Sequence, residues 1–381
     1  MFDFEKYGIT MWDEEKIASF RRTLLAWYDQ EKRDLPWRRT SDPYAIWVSE
    51  IMLQQTQVIT VIPYYERFLN WFPTVADLAE ASEEKLLKAW EGLGYYSRVR
   101  NMQTAAQQIM TKFGGQFPNN HADILSLQGI GPYTAGAIAS IAFGLPEPAV
   151  DGNVMRVMAR LFEVDHDIGN PANRKIFQAI MEVLIDPDRP GDFNQALMDL
   201  GTDIEGPKNP RPEESPVRAF SAAYLNGTMD KYPIKEPKKK PRPLAIQAYI
   251  IQNKKGEFLL EKNTKGKLLE GFWSFPICEA NLVSQQLNLF EEDLPVVRDQ
   301  LTQQQIFEES YQLKPNWSDQ TFPEVKHTFS HQKWQIVMTE GHIERASDLN
   351  NANLAWVSPE DFSNYPFATP QKKMVEAYFG K

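Results

Sequence analysis

Residues 127–160, LQGIGPYTAGAIASIAFGLPEPAVDGNVMRVMAR, decide how this chain is read. Gly129 and Gly131 stand between two helical patterns, where they allow a tight turn with unusual backbone angles and leave amide N–H groups bare of side-chain cover. Such amides, beside the start of a helix that opens with Pro132, can bind a phosphate as helix N-termini bind anions. The run Tyr133 to Phe143 is apolar and rich in small residues, so this helix should pack closely inside a core. Downstream, Asp151 follows Ala149 and Val150 and precedes a helical pattern carrying Val154, Val157 and Leu161. A glycine-paired turn alone is a weak sign of phosphate binding. Joined to the downstream aspartate it is far more specific.

Around this stretch, residues 12–225 read as mostly helical. Apolar residues recur at helical spacing in Ile17, Phe20, Leu24, Leu25 and Trp27, in Val48, Ile51 and Met52, and in Ile176, Ile180, Val183 and Leu184. Next comes Pro233-Ile-Lys-Glu-Pro-Lys-Lys-Lys-Pro-Arg-Pro243, where prolines alternate with cations; such a run reads as an extended linker. From Leu244 the pattern turns to strands. Residues 245–252, the turn Asn253-Lys-Lys-Gly256 and residues 257–261 predict a β-hairpin. Further strands are predicted at 326–330 and 334–339, with a helix near 302–311. The domain division expected is 1–225, a linker at 226–243, and 244–381.

The chain has 381 residues, enough for two domains with their own cores, and a net charge of −10. The charge argues at first against nucleic acid, but the linker carries six basic and two acidic residues and global charge does not set the potential inside a cleft. No apolar run approaches the roughly 18 residues of a membrane span. With one cysteine, Cys278, no internal disulfide is possible and a reducing, cytoplasmic setting fits. The five histidines offer no zinc-binding spacing, although His327 and His331 could share a face.

Several longer motifs accompany the hairpin: Pro36-Trp-Arg38, Pro43-Tyr-Ala-Ile-Trp-Val-Ser-Glu-Ile-Met-Leu-Gln-Gln-Thr-Gln-Val58, and Trp90-Glu-Gly-Leu-Gly-Tyr-Tyr-Ser-Arg98. On these the chain, from about Trp27 onward, resembles the helix-hairpin-helix DNA glycosylases, and within them the adenine DNA glycosylase (MutY) family. The resemblance implies an all-α helix-hairpin-helix glycosylase domain followed by an α+β Nudix-like domain. It implies a monofunctional glycosylase of base excision repair, acting on double-stranded DNA that holds adenine opposite 8-oxoguanine or guanine. Such a protein is expected to be a cytoplasmic, nucleoid-associated monomer.

Base removal needs an activated leaving group and a stabilised cationic sugar, a task for one protonated and one ionised acid, as in glycoside hydrolysis. Glu50 lies among Trp47, Val48, Ile51 and Leu53, where desolvation would keep it protonated. Asp151 on residue type alone reads as a helix N-cap. By resemblance, Glu50 and Asp151 are the two catalytic carboxylates, assisted by Tyr133 and Asn153. Tyr133 stands where bifunctional relatives place a Schiff-base lysine, which implies no strand cleavage. Trp37, Arg38 and Leu53 match the adenine pocket. Gln55, Thr56, Leu93 and Tyr95 match positions that wedge and read the lesion strand, with Gly129 and Gly131 holding the backbone. In the tail, Phe329, Ser330 and His331 match the 8-oxoguanine reading loop. The Nudix catalytic box is missing, since Ile277 stands at its acid position and Gln304-Gln305 precede Glu308-Glu309 where Arg-Glu would be needed, so the tail is expected to read and not to hydrolyse.

One departure from the family matters. Its four iron–sulfur cysteines fall here on Glu205, Pro212, Ser215 and Ser221, none a thiolate, so no cluster and no metal is expected. Two other readings compete. The same fold could excise thymine or uracil, which the Phe-Ser-His loop argues against. The chain could also be a catalytically silent lesion-binding scaffold, which the presence of both Glu50 and Asp151 argues against.

Overall fold

The computed structural model describes residues 2–237, 240–264, 266, 268–280, 300–344, 349 and 351–380. The chain divides into two compact units, one of residues 1–81 and 100–237, the other of 82–99 and 238–381.

The first unit is helical, as expected. It contains α1 (Glu14–Glu31), α2 (Pro43–Leu53), α3 (Val58–Trp71) and α4 (Val75–Glu80). After α5 (Glu83–Ala89), which lies in the second unit, come α6 (Ser97–Lys112), α7 (His121–Leu125), α8 (Pro132–Phe143) and α9 (Gly152–Phe162). Then follow α10 (Arg174–Leu184), α11 (Pro190–Asp199) and the short α12 (Ala222–Leu225). Helix α2 starts where Asp42 accepts from the amides of Tyr44 and Ala45, with Pro43 at the first helical position. It is buried all round, from Tyr44 to Met52. Its neighbour α8 can pack against it because α8 is built of small residues, and Gly136 lets α8 approach the Pro148 carbonyl so closely that a Cβ there would sit 2.0 Å from the oxygen. Helices α1, α9, α10 and α11 supply a separate core that includes Phe20, Leu24, Val157, Ile180 and Phe193.

The second unit is α+β. Strand β1 (Arg242–Asn253) turns at Asn253–Gly256 into antiparallel β2 (Phe258–Lys262), the hairpin predicted from sequence. The sheet continues through β3 (Trp273–Ser274), β4 (Ile277–Glu279), β5 (Asn316–Trp317), β6 (Val325–Thr328), β7 (Gln332–Ile343) and β8 (Leu354–Val357). Its order is β3-β2-β1-β7-β5, with β4 also on β1, β6 on β7 and β8 on β2. The centre is a parallel pairing of β1 with β7, Arg242 opposite Gln332 through to Asn253 opposite Ile343. Helices α13 (Gln300–Tyr311) and α14 (Thr369–Phe379) complete the unit. The expected strands at 326–330 and 334–339 correspond to β6 and β7, and the expected helix to α13.

This division departs from the sequence-based boundaries in two ways. Residues 226–237 are packed chain: the Ile168 amide donates to the Ile234 carbonyl and Arg160 Nε to the Tyr232 carbonyl. Arg242 and Pro243 already belong to β1. Residues 82–99, expected in the helical domain, pack instead with the C-terminal unit. The Tyr96 ring meets Phe272 at 4.0 Å, and buried Glu91 pairs with Lys372 of α14 at 3.0 Å. No helix among the described residues is long and apolar enough to cross a membrane.

Candidate active site

A cleft of about 980 Å³ opens in the first unit. Glu50, Asp151, Tyr133, Asn153, Trp37, Arg38, Leu53, Gln55, Thr56 and Gly131 all line it. Residues far apart in sequence are thus brought to one cleft by α2, by the starts of α8 and α9, and by the turn at Pro36–Arg38.

Glu50 is 6% exposed and accepts a 2.7 Å hydrogen bond from Tyr133 Oη. Burial pushes its carboxyl up to about 7; the Tyr133 hydrogen bond opposes this, the charge of Asp151 adds to it and Arg38 opposes it. Near neutral pH it can therefore hold a proton and give it up, as a general acid must. Tyr133 itself is held well above its ordinary value by burial, so it stays a donor.

Asp151 is the helix cap that its residue type predicts. It N-caps α9, accepting from the amides of Asn153 at 2.9 Å and Val154 at 2.8 Å through Oδ1, while Asn153 Nδ2 donates to Oδ2 at 2.9 Å. The residue is one of those lining the cleft. Burial raises its pKa, and those three hydrogen bonds and Arg156 pull the other way. Asn153 is in turn fixed by Arg156, whose Nη2 donates to Asn153 Oδ1 at 2.7 Å and to the Gly201 carbonyl at 2.6 Å.

Trp37 is buried and stands edge-on to Tyr65. Arg38 gives both terminal nitrogens to Asp199, at 2.7 and 2.9 Å, and Arg33 bonds the same carboxylate. Sequence reasoning missed Asp199. It stands 161 residues from Arg38, and no local spacing signals the pairing.

At the cleft rim Gln55 has φ +59°, a left-handed conformation that costs a side-chain-bearing residue free energy. Beside it Ile59 is 75% exposed. In the hairpin, Gly129 has φ +77° and its Cβ would meet Asn101 Cβ at 2.6 Å, so glycine is required there twice over. Gly131 corrects the expectation of unusual angles at both glycines. Its φ is −95°; it N-caps α8 without a side-chain cap, and a Cβ there would meet open space.

The remaining expected residues belong to the second unit. Leu93 is buried, while Tyr95 is 47% exposed with φ +47°. Phe329 packs edge-on against Trp334, and Ser330 and His331 are exposed just after β6. His327 is partly buried, which lowers its pKa, and among the described residues no group of three or more His, Cys, Asp or Glu could hold a metal. Cys278 Sγ lies 3.2 Å from Tyr249 Oη, and burial raises its thiol pKa.

The positions matching the cluster cysteines are engaged otherwise. Glu205 is buried and pairs with Arg160 at 2.6 Å, and its carbonyl accepts from Arg156 Nε. Ser221 donates to the Arg160 carbonyl and caps α12. Ser215 is buried and Pro212 opens a short 3-10 turn.

Comparison with known proteins agrees with the fold of both units. The HhH-GPD superfamily of base excision DNA repair proteins matches residues 48–184, and the NUDIX domain family matches 247–377. The human adenine DNA glycosylase is 33% identical over 97% of this chain and 76% of its own length, and the rat enzyme 34% over 96% and 79%. The chain belongs to the adenine DNA glycosylase family. An adenine DNA glycosylase of Buchnera aphidicola is 38% identical over 68% of this chain and 73% of that one. Among solved structures, a thermostable thymine-DNA glycosylase superposes with a TM-score of 0.50 at 29% identity, covering 56% of this chain and 98% of its own. The chain is thus a DNA glycosylase of base excision repair that removes adenine.

Proposed function

We propose that this glycosylase excises adenine paired with 8-oxoguanine or guanine in double-stranded DNA, acting as a cytoplasmic, nucleoid-associated monomer and leaving an abasic site. The observation that carries the reading is one cleft with two carboxylates in different environments. Glu50 is buried beside a tyrosine donor, and Asp151 is held by three hydrogen bonds. Glu50 protonates the leaving adenine and then helps water to attack; Asp151 stabilises the cationic sugar. Reaching that cleft requires the adenosine to leave the stack. The strained, exposed Gln55 at this cleft suits the role of filling the gap. Tyr133 offers no amine for a Schiff base, which favours excision without strand cleavage.

Lesion reading is assigned to Phe329, Ser330 and His331. 8-Oxoguanine carries an N7–H donor where guanine has an acceptor, and an exposed serine hydroxyl can accept from it. No iron–sulfur cluster is assigned: a paired glutamate, a proline and two serines supply no thiolate, and the chemistry of this donor set does not fit the cluster.

The test is a panel of duplexes with A opposite 8-oxoguanine, G, T and C, and with T or U opposite G, each analysed with and without subsequent alkali. Alkali-dependent cleavage confined to A opposite 8-oxoguanine and G is expected. Cleavage without alkali would refute the monofunctional reading, and preference for T or U opposite G would move the substrate to another base.

A further inference from the structure

Arg38 lines the same cleft as Glu50 and acts on its carboxyl through its charge, and its guanidinium is held by a residue on another element. Its Nη1 and Nη2 donate to the two oxygens of Asp199 at 2.7 and 2.9 Å, the paired geometry in which a guanidinium is held in one orientation. Asp199 is 2% exposed and is the last residue of α11, where the helix widens into a single π turn, Leu200–Ile204. Such turns are found often at functional sites. Arg33 binds the same carboxylate. With the fork committed, Arg38 Nε remains buried and without a hydrogen-bond partner among the described residues. A buried donor left unpaired carries a desolvation cost.

We infer that Asp199 is a positioning residue of the excision reaction: it fixes Arg38 for the base and cancels the guanidinium charge beside Glu50. The inference rests on the assignment of Glu50 as the acid. The charged and titratable groups on the cleft walls around Glu50 are Arg38 and Arg33 near the Pro36 turn, Tyr133 on α8, Asp151 at the head of α9, Arg174 on α10 and Asp199 on α11. Arg38 acts on Glu50 to favour the carboxylate. An Arg38 charge released from Asp199 favours it further, and the acid then loses its proton at a lower pH.

The experiment uses the full-length protein and compares Asp199→Asn, Asp199→Glu, the double variant Arg38→Met with Asp199→Asn, and Glu50→Gln. Single-turnover excision of adenine opposite 8-oxoguanine is followed from pH 5 to 9. The Glu50 carboxyl is titrated in parallel by ¹³C NMR, which reads the proton whether or not the variant turns over. In Asp199→Asn the midpoint of the alkaline limb and of the NMR titration should fall by about one unit, with a rate loss of roughly tenfold above the new midpoint. Asp199→Glu should restore most of the wild-type profile. The double variant, which lacks both charges, should titrate at or above the wild-type midpoint. An unshifted midpoint in Asp199→Asn, with any rate loss uniform across pH, overturns the proposal, as does a midpoint that stays depressed in the double variant. Should Asp199→Asn alone not fold, the double variant decides. Near wild-type rates in Glu50→Gln sink the acid assignment, whereas a dead Glu50→Gln with an unshifted Asp199→Asn sinks this inference alone.

Discussion

Tyr133 Oη donates to Glu50 Oε2 at 2.7 Å, joining the exit of the hairpin to the buried carboxyl of α2. The bond stabilises the carboxylate against a burial effect that otherwise favours the acid, and the outcome is a group that titrates at about 7. A carboxyl at the foot of an apolar helix is thereby tuned to the range where it can work.

Excision should therefore decline as pH rises through about 7, as Glu50 loses its proton. Tyr133→Phe, which removes the stabilising hydrogen bond, should move that limb upward. Glu50→Gln should lose at least about 100-fold in single-turnover rate while still binding DNA. Stability gives an independent check. The folded pKa of Glu50 lies above its ordinary carboxyl value, so its contribution to stability is full below about 4.5 and is lost as pH rises through about 7. Glu50→Gln should then be more stable than wild type at pH 8 by up to about 3 kcal/mol, and the gain should vanish near pH 4. Denaturant unfolding at the two pH values checks the sign.

The cap that Asp151 forms and the catalytic role proposed for it can be separated by substitution. Asn is as good an N-cap as Asp, so Asp151→Asn should leave thermal unfolding nearly unchanged while abolishing most excision. Asp151→Ala should lose the same activity and also about 1 kcal/mol or more of stability with the cap. Equal stability of the two variants would mean that the cap seen at α9 contributes nothing.

What could be read from the sequence was what is local. The hairpin turn, Glu50 in its apolar helix, the cap before Val154 and the β1–β2 turn each lie within a few residues, and spacing alone exposes them. The pairs Arg38 with Asp199 and Glu91 with Lys372 join positions more than 160 residues apart, and nothing in either neighbourhood signals the partner. The extent of the linker is hard to read for a related reason. Composition separates the proline- and lysine-rich run from its flanks, yet the hydrogen bonds that tie Tyr232 and Ile234 to the helical unit use backbone carbonyls, which carry no mark in the sequence. Gly131 shows the converse: its turn was found, but only Gly129 uses the left-handed conformation.

Residues 82–99 should depend for their stability on the C-terminal unit. Phe272 is fully buried against Tyr96, so Phe272→Ala should cost about 3–5 kcal/mol. Glu91 pairs with Lys88 at 2.8 Å and Lys372 at 3.0 Å, so Glu91→Gln should cost about 1–3 kcal/mol. Because Tyr95 adjoins this contact, both variants should bind substrate DNA more weakly. A fragment ending at residue 225 would lack Phe272, Lys372, Tyr232 and Ile234, and should unfold far more readily than the full chain in a thermal melt. Unchanged melting of Phe272→Ala would remove the basis for placing 82–99 with the second unit.

Ser330 tests lesion reading without touching the chemistry. It is exposed beside His331, and one good base contact is typically worth about 1–3 kcal/mol. Ser330→Ala should erode the preference for 8-oxoguanine over guanine by at most that amount and leave the maximal rate of adenine excision unchanged. A variant that keeps the wild-type preference would take lesion recognition away from this loop.

The segment around Glu205 should depend on an ion pair and not on a metal. Arg160 and Glu205 are both buried, and removing one partner of such a pair leaves an uncompensated charge, at a typical cost of about 3–5 kcal/mol. Glu205→Ala should be destabilised by that order. It should also disturb the active site, because the Arg156 that orients Asn153 bonds the Glu205 carbonyl on the same turn. Exhaustive chelation, by contrast, should leave folding and excision unchanged, and the purified protein should be colourless with no iron or sulfide. Stoichiometric iron with sulfide in active protein would refute the absence of a cluster. Activity lost on chelation without iron would place a different metal in the protein, and a Glu205→Ala variant as stable as wild type would show that other contacts hold this segment.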